Sequence, residues 1–390
     1  MSTPLIRLLS GRDKRVKAGH PWAFSNEIAM TPEVRGLPSG SVVRLVGDDG
    51  AQHGTWHFNP HSLIAARRLD ADPEARIDTA WFTKRLSAAL ALRTRLLPTP
   101  YYRLVHAEAD FLPGLIIDRY GDTLVLQANT AGMEAATAHI TEALLALVKP
   151  SAIMARNDSG VRALENLPLE TKALHGEASR AWAEEGGLRF PIDLVGGQKT
   201  GWFHDQREHR ARVARLAPGL TMLDAFCHTG GFGLQAAAAG ATHVTLLDAS
   251  QHALDLAMEA AAAQGLADRV TPLRADAMEH LPRIEGQFDI VVADPPAFAK
   301  ARKDNPAALR AYGKLARLSA ERVKKGGFLF IASCSHHVGP GEFADAVLWG
   351  AARARPTMRL LFQGAAGPDH PLHPMLPESA YLKALLLQFP

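Results

Sequence analysis

The chain has 390 residues, of which 47% are apolar and 21% charged, and a net charge of +3; these are the proportions of a folded globular protein, not of a disordered or fibrous one. Two cysteines exclude a disulfide framework, and no stretch approaches the roughly 18 apolar residues of a membrane-spanning helix. The opening residues hold too short an apolar run for a signal peptide, so a cytoplasmic location is expected.

Residues 1–72 show short alternating segments such as Ser41-Val-Val-Arg-Leu-Val46, broken by Gly47-Asp-Asp-Gly50 and by prolines, which predicts a small β domain. Residues 1–70 carry nine Lys and Arg against six acids, with five of the bases in the first seventeen positions. Lys14, Arg15 and Lys17 are therefore substrate-binding candidates for a nucleic acid, against the plain alternative of a solvated surface. Residues 71–78 read as a linker. Over residues 73–185, helical spacing from Trp81 to Leu97 and a hairpin around Tyr120-Gly-Asp122 predict a central α+β domain. Over residues 186–390, strand-like segments at 221–226, 243–247, 270–274, 288–293 and 327–332 alternate with helix-like ones at 204–217, 250–264 and 306–323. That order predicts an α/β domain with a mostly parallel sheet covered on both faces.

In such sheets ligands bind outside the carboxyl ends of the strands, so Asp224-Ala-Phe-Cys-His-Thr-Gly-Gly-Phe-Gly233 is the first candidate site. Its glycines permit a tight turn, but it is neither a dinucleotide fingerprint nor a phosphate loop, and Asp224 would repel a phosphate. Asp248 ends the next strand, where an acid can hold ribose hydroxyls, and Asp276 follows the strand after it. Any one of these acids could instead cap a helix. Three in register favour a nucleoside carrying positive charge, and S-adenosylmethionine is such a ligand.

A fourth strand ends in Asp294-Pro-Pro-Ala-Phe298, where the prolines fix a rigid loop that could hold Asp294 and Phe298 against a planar substrate. A fifth ends in Ser333-Cys-Ser-His-His337. Cys334 is a candidate nucleophile if a positive group ionises it, and otherwise a buried inert thiol. A metal site at Cys334, His336 and His337 is disfavoured, because adjacent histidines rarely converge on one ion. Cys227 reads as packing.

These segments, with Gly19-His-Pro-Trp-Ala-Phe-Ser25, Glu108-Ala-Asp-Phe-Leu-Pro-Gly-Leu-Ile-Ile-Asp118, Gly197-Gln-Lys-Thr-Gly-Trp-Phe-His-Asp-Gln-Arg207 and Asp369-His-Pro371, carry a resemblance that spans the chain. It resembles the bacterial 23S ribosomal RNA cytosine-5 methyltransferase family with an N-terminal PUA domain. The resemblance implies a PUA-like RNA-binding domain over 1–72, a central α+β domain over 73–185 and a Rossmann-like class I methyltransferase domain over 186–390, with S-adenosylmethionine as cofactor. It carries over as cofactor-site residues Gln198, Lys199, Thr200, Gly201, Phe203, Asp205, Gln206 and Arg207 before the first strand. After that strand it adds Asp224, Phe226, Thr229, Gly230 and Gly231, and at later strand ends Asp248, Ala249, Ser250, Asp276, Ala277, Asp294, Pro295 and Pro296. Cys334 and Asp294 are implied as catalytic residues, with Phe298 stacking on the flipped base or packing in the core. No metal is implied. The partners implied are 23S ribosomal RNA and, as an open option, a second copy of the chain, with no membrane. Two alternatives stay open: methylation of an exocyclic amine or guanine without a cysteine nucleophile, and a non-catalytic RNA-binding assembly factor. Ala297, which directly follows the prolines where amine methylation favours an aromatic, weighs against the first.

Overall fold

A computed structural model describes residues 3–197, 200–299 and 301–390. The chain forms two compact units, one of Met1–Ala181, Asp193–His204 and Pro368–Pro377, the other of Trp182–Ile192, Asp205–Gly367 and Glu378–Pro390.

The first unit contains two five-stranded sheets. In the first, Ser41–Val46 and Gln52–Phe58 pair antiparallel, and their alternation sends Val43, Leu45, Trp56 and Phe58 into a core shared with Ile6 and Ala66. In the second, the hairpin Leu115–Tyr120 and Thr123–Ala128 turns at Gly121, whose φ of 67° suits a residue without a side chain. Helix Thr79–Leu96 packs on it. Asp78 caps its first turn by accepting from the Trp81 N–H at 3.1 Å, and the chain leaves the helix at Leu97, the residue before Pro98. The two sheets are tied by Arg67, which reaches Glu108 at 3.1 Å and Glu165 at 3.2 Å.

The second unit is built on a seven-stranded sheet: β1 (Thr221–Ala225), β2 (His243–Asp248), β3 (Val270–Arg274), β4 (Phe288–Ala293), β5 (Val323–Ser333), β6 (Arg359–Gly364) and β7 (Lys383–Gln388), in spatial order β3-β2-β1-β4-β5-β7-β6. The first five are parallel, and β7 runs antiparallel to both its neighbours. Buried runs such as Ile290, Val291 and Val292 fill strands covered on both faces. Strand order reverses between β1 and β4, which opens a crevice at their carboxyl ends.

Several elements differ from the sequence-based expectation. The helix expected over 204–217 is α-helical only from Arg207 to Ala214, because Ala217 precedes Pro218 and is steered out of helical geometry. β5 begins at Val323, four residues before the expected start. It is kinked there by Gly326 at φ 85° and by Gly327, where a Cβ would lie 2.5 Å from the Asp289 carbonyl oxygen. β6 and β7 were not foreseen.

Candidate active site

The turn after β1 holds Phe226, His228 and Gly230 at positive φ (62°, 50° and 78°). For the two residues with side chains this costs about 1–2 kcal/mol each. Three hydrogen bonds hold the turn: Cys227 N–H to the Leu247 carbonyl at 3.2 Å, Gly230 N–H to the Cys227 carbonyl at 2.8 Å, and His228 N–H to Asp248 Oδ2 at 2.9 Å. The turn feeds helix Gly231–Ala238, which presses so closely on β2 that a Cβ on Gly233 would lie 2.4 Å from Leu246. Thr229, Gly230 and Gly231 are buried in it, and so is Cys227, whose thiol is pushed up by burial.

Asp224 is 1% exposed. Its Oδ2 accepts from the Gly233 N–H at 2.8 Å, while Oδ1 has no donor among the described residues. Burial lifts this carboxyl to about 8; the Gly233 N–H opposes the shift, and the negative charges of Asp294 and Asp248 add to it. Asp248 is partly exposed and accepts from the N–H groups of His228 and Ser250, both at 2.9 Å, which leaves lone pairs for a further donor. Ser250 caps helix Gln251–Ala263, with Ala249 exposed before it. Asp276 is exposed and caps the short helix that begins at Ala277, accepting from the Glu279 N–H at 3.0 Å. A helix cap thus accounts for Asp276.

Asp294 leaves β4 beside Asp224. Its Oδ2 accepts from Gln206 Nε2 at 2.9 Å, and Gln206 Oε1 accepts from His209 Nδ1 at 2.5 Å. Burial pushes His209 down to about 4, so near neutral pH the ring is uncharged and serves only to orient the amide. Asp205 Oδ2 accepts from the Tyr381 hydroxyl at 2.5 Å, and Arg207 acts electrostatically on buried Glu185. Pro295 is buried and Pro296 exposed. Phe298 lies partly buried with its ring 4.7 Å from that of Tyr312, so it packs against the core.

Tyr312 ties two segments together. Its hydroxyl accepts from Ser333 Oγ at 2.8 Å and from the Phe298 N–H at 3.5 Å, and Ser335 Oγ donates to the Ala299 carbonyl at 3.1 Å. These bonds clamp the proline loop to the turn carrying Cys334. Because Ala293 and Ile331 are register partners, Asp294 and Cys334 leave neighbouring parallel strands at the same edge. Cys334 is half-buried; His336 and His337 are exposed.

In the first unit, Gln198 and Lys199 lie outside the described residues. Thr200 is buried and its carbonyl accepts from the Tyr120 hydroxyl at 3.1 Å; Gly201 is buried and Phe203 partly so. Lys14, Arg15 and Lys17 are exposed on one turn, with Lys17 paired to Asp13 and to Asp49, and Arg15 lying 3.6 Å from Glu27. Sequence reasoning missed Gln206 as a tether for Asp294, and missed His209, Tyr381 and Lys383 altogether. The one signal available for Lys383 was a lone charge opening the apolar run Lys383-Ala-Leu-Leu-Leu387.

The buried acceptor at Asp224, backed by two carboxylates, suits a ligand that brings positive charge and donors, and S-adenosylmethionine brings both. Fold and site together define the methyltransferase class. Residues 6–71 match the PUA-like domain family, and residues 155–388 match the S-adenosylmethionine-dependent methyltransferase family. Ribosomal RNA large subunit methyltransferase I of Aliivibrio fischeri is 36% identical over 390 residues, and that of Shewanella amazonensis 37% over 391, each match covering 98% of both chains. A putative S-adenosylmethionine-dependent methyltransferase structure from Streptococcus mutans shares the fold at a TM-score of 0.81 and 20% identity, covering 99% of this chain and 100% of that one. A putative methyltransferase solved in complex with SAH gives 0.82 at 20% identity, covering 100% of both chains. The chain belongs to the family of S-adenosylmethionine-dependent methyltransferases that carry a PUA-like domain.

Proposed function

We propose that the protein methylates carbon 5 of a cytosine in 23S ribosomal RNA, with Cys334 as the nucleophile. The observation that carries this reading is the placement of Asp294 and Cys334 at one edge of β4 and β5, clamped through Tyr312 and Ser335 and next to the turn after β1. The names of the relatives support ribosomal RNA of the large subunit as substrate.

Carbon 5 of cytosine is a weak nucleophile until something adds at carbon 6. The Cys334 thiolate forms the S–C6 bond, and the C5=C6 electron pair moves to carbon 5. Asp294, oriented by Gln206 and His209, faces N3 and the exocyclic amine and stabilises the ring as N3 takes a proton from solvent. Bound S-adenosylmethionine supplies an electrophilic methyl group. Once carbon 5 carries the methyl group, its proton passes to water, Asp294 or a neighbouring side chain; the C–H pair restores C5=C6 as the Cys334 sulfur leaves with the C6–S pair, and N3 gives up its added proton. The carboxylates of Asp224 and Asp248 hold the positive and hydroxyl-bearing parts of the cofactor. A base inside a duplex cannot reach this edge, so the target lies in single-stranded RNA or is flipped out. The PUA-like residues 6–71, with Lys14 in no ion pair among the described residues, bind the RNA backbone.

Nucleoside mass spectrometry on unmodified 23S RNA, incubated with isotopically labelled S-adenosylmethionine, tests this. Native protein is expected to yield labelled 5-methylcytidine and Cys334→Ala none. Label in another nucleoside, or undiminished product from the variant, would reject the reading.

A further inference from the structure

Lys383 opens β7 and is 5% exposed, although lysines are almost never buried without an anionic partner. Its Nζ donates to two carbonyl oxygens, those of Ser335 and, at 3.0 Å, Tyr381. Two neutral carbonyls leave the charge unbalanced. The one ionisable group acting on the ammonium among the described residues is Cys334. Register explains why: Ser333 pairs with Lys383 across β5 and β7, so the ammonium arrives beside the turn that begins at Cys334.

We propose that Lys383 is a positioning residue that fixes the turn after β5 through the Ser335 carbonyl and holds Cys334 as the thiolate. This rests on the reading of Cys334 as nucleophile. Burial pushes the Lys383 ammonium down to about 8, with Cys334 pulling it back up, and the same attraction acts in reverse on the thiol. Other titratable groups among the described residues also stand around the pair. Tyr381 donates its hydroxyl to Asp205, His336 lies with its ring 5.0 Å from that of Tyr381, and Tyr312 hydrogen-bonds Ser333. Asp294 ends the neighbouring strand and is bound by Gln206, while β6 sets only Gly364 against Ala384. Lys383 is thus, among the described residues, a cation placed to ionise Cys334.

The test is the pH profile of iodoacetamide alkylation at Cys334 in the full chain, read by peptide mass spectrometry so that buried Cys227 is scored separately. In native protein the midpoint is expected below the ordinary thiol value of about 8.5; a midpoint at or above it overturns the proposal without any variant. Lys383→Met is expected to slow alkylation near neutral pH by about ten-fold, one unit of thiol pKa, and Lys383→Arg to restore most of it. S-adenosylmethionine binding measured by calorimetry should be unchanged in both, which shows that they fold. An unshifted profile in Lys383→Met, or no recovery in Lys383→Arg, rejects the role. Should Cys334→Ala keep full methylation, the nucleophile reading fails, while the alkylation profiles still decide whether Lys383 ionises the thiol.

Discussion

Asp224 keeps a proton that a positive ligand at its carboxyl would displace. With its carboxyl lifted to about 8, the group is largely neutral through the neutral range in the unliganded chain. The folded-state value lies above the ordinary carboxylate value near 4, so the folded state binds the extra proton and stability without ligand falls as pH rises from about 4 through about 8. With Asp224 holding the cofactor as proposed, affinity should run the opposite way over the same window, because a positive ligand favours the carboxylate. Calorimetric Kd for S-adenosylmethionine is therefore expected to tighten as pH rises towards 8, with proton release visible as a dependence on buffer ionisation enthalpy. Asp224→Asn should bind more weakly and flatten the profile. A native Kd that does not vary with pH would contradict this assignment.

Among elements, helices Asn305–Glu321 and Pro340–Ala354 approach backbone to backbone: a Cβ on Gly350 would lie 2.1 Å from the Gly313 carbonyl oxygen. Gly350→Ala must push the first helix outward, at a cost of about 1–3 kcal/mol. Tyr312 is the residue before Gly313, so the clamp on Phe298 and Ser333 moves with it. The expected result is a lower denaturant midpoint and a loss in kcat larger than any loss in cofactor affinity. Equal losses in both would mean that Tyr312 does not position the catalytic edge. Sequence reading found β1, β2 and β4 because each is a short apolar run with an Asp within or just after its end, and β3 from its place in the alternation. It found the acids because they sit at those ends. It missed β6, whose Arg359, Leu360 and Leu361 are exposed on an edge strand, and β7, which follows a Pro- and His-rich stretch. The contacts of Tyr312 and Lys383 were illegible for a related reason: their partners are made by strand order, and Lys383 meets Ser335 from 48 residues away.

For the whole molecule, the chain passes between the two units five times, at 181/182, 192/193, 204/205, 367/368 and 377/378. The first unit is consequently not a continuous segment. Arg156 donates to the carbonyls of Leu194 at 3.1 Å and Gly197 at 2.7 Å, and Arg93 to that of Asp369 at 3.0 Å, all contributed by later returns of the chain. A fragment of residues 1–181 lacks all three acceptors: Arg156 Nη1 loses its partner, at about 1–3 kcal/mol, while Arg156 Nη2 keeps only Asp158 and Arg93 Nη2 only Asp110. It is expected to melt well below the full chain and with a broader transition in calorimetry. A fragment as stable as the corresponding transition of the full chain would show that the returns are dispensable.

Strand β7 fills the slot between β5 and β6, although it follows both in the chain. During synthesis those two edges therefore exist before the strand that pairs them, with rows of open backbone groups. Of the groups gathered around Cys334, Lys383 is the last to leave the ribosome. A chain still being made holds its cysteine without the ammonium beside it. On the proposed role of Lys383, the thiol would stay un-ionised until the sheet closes, and the order of translation would itself delay the reactive state until the fold is there to contain it.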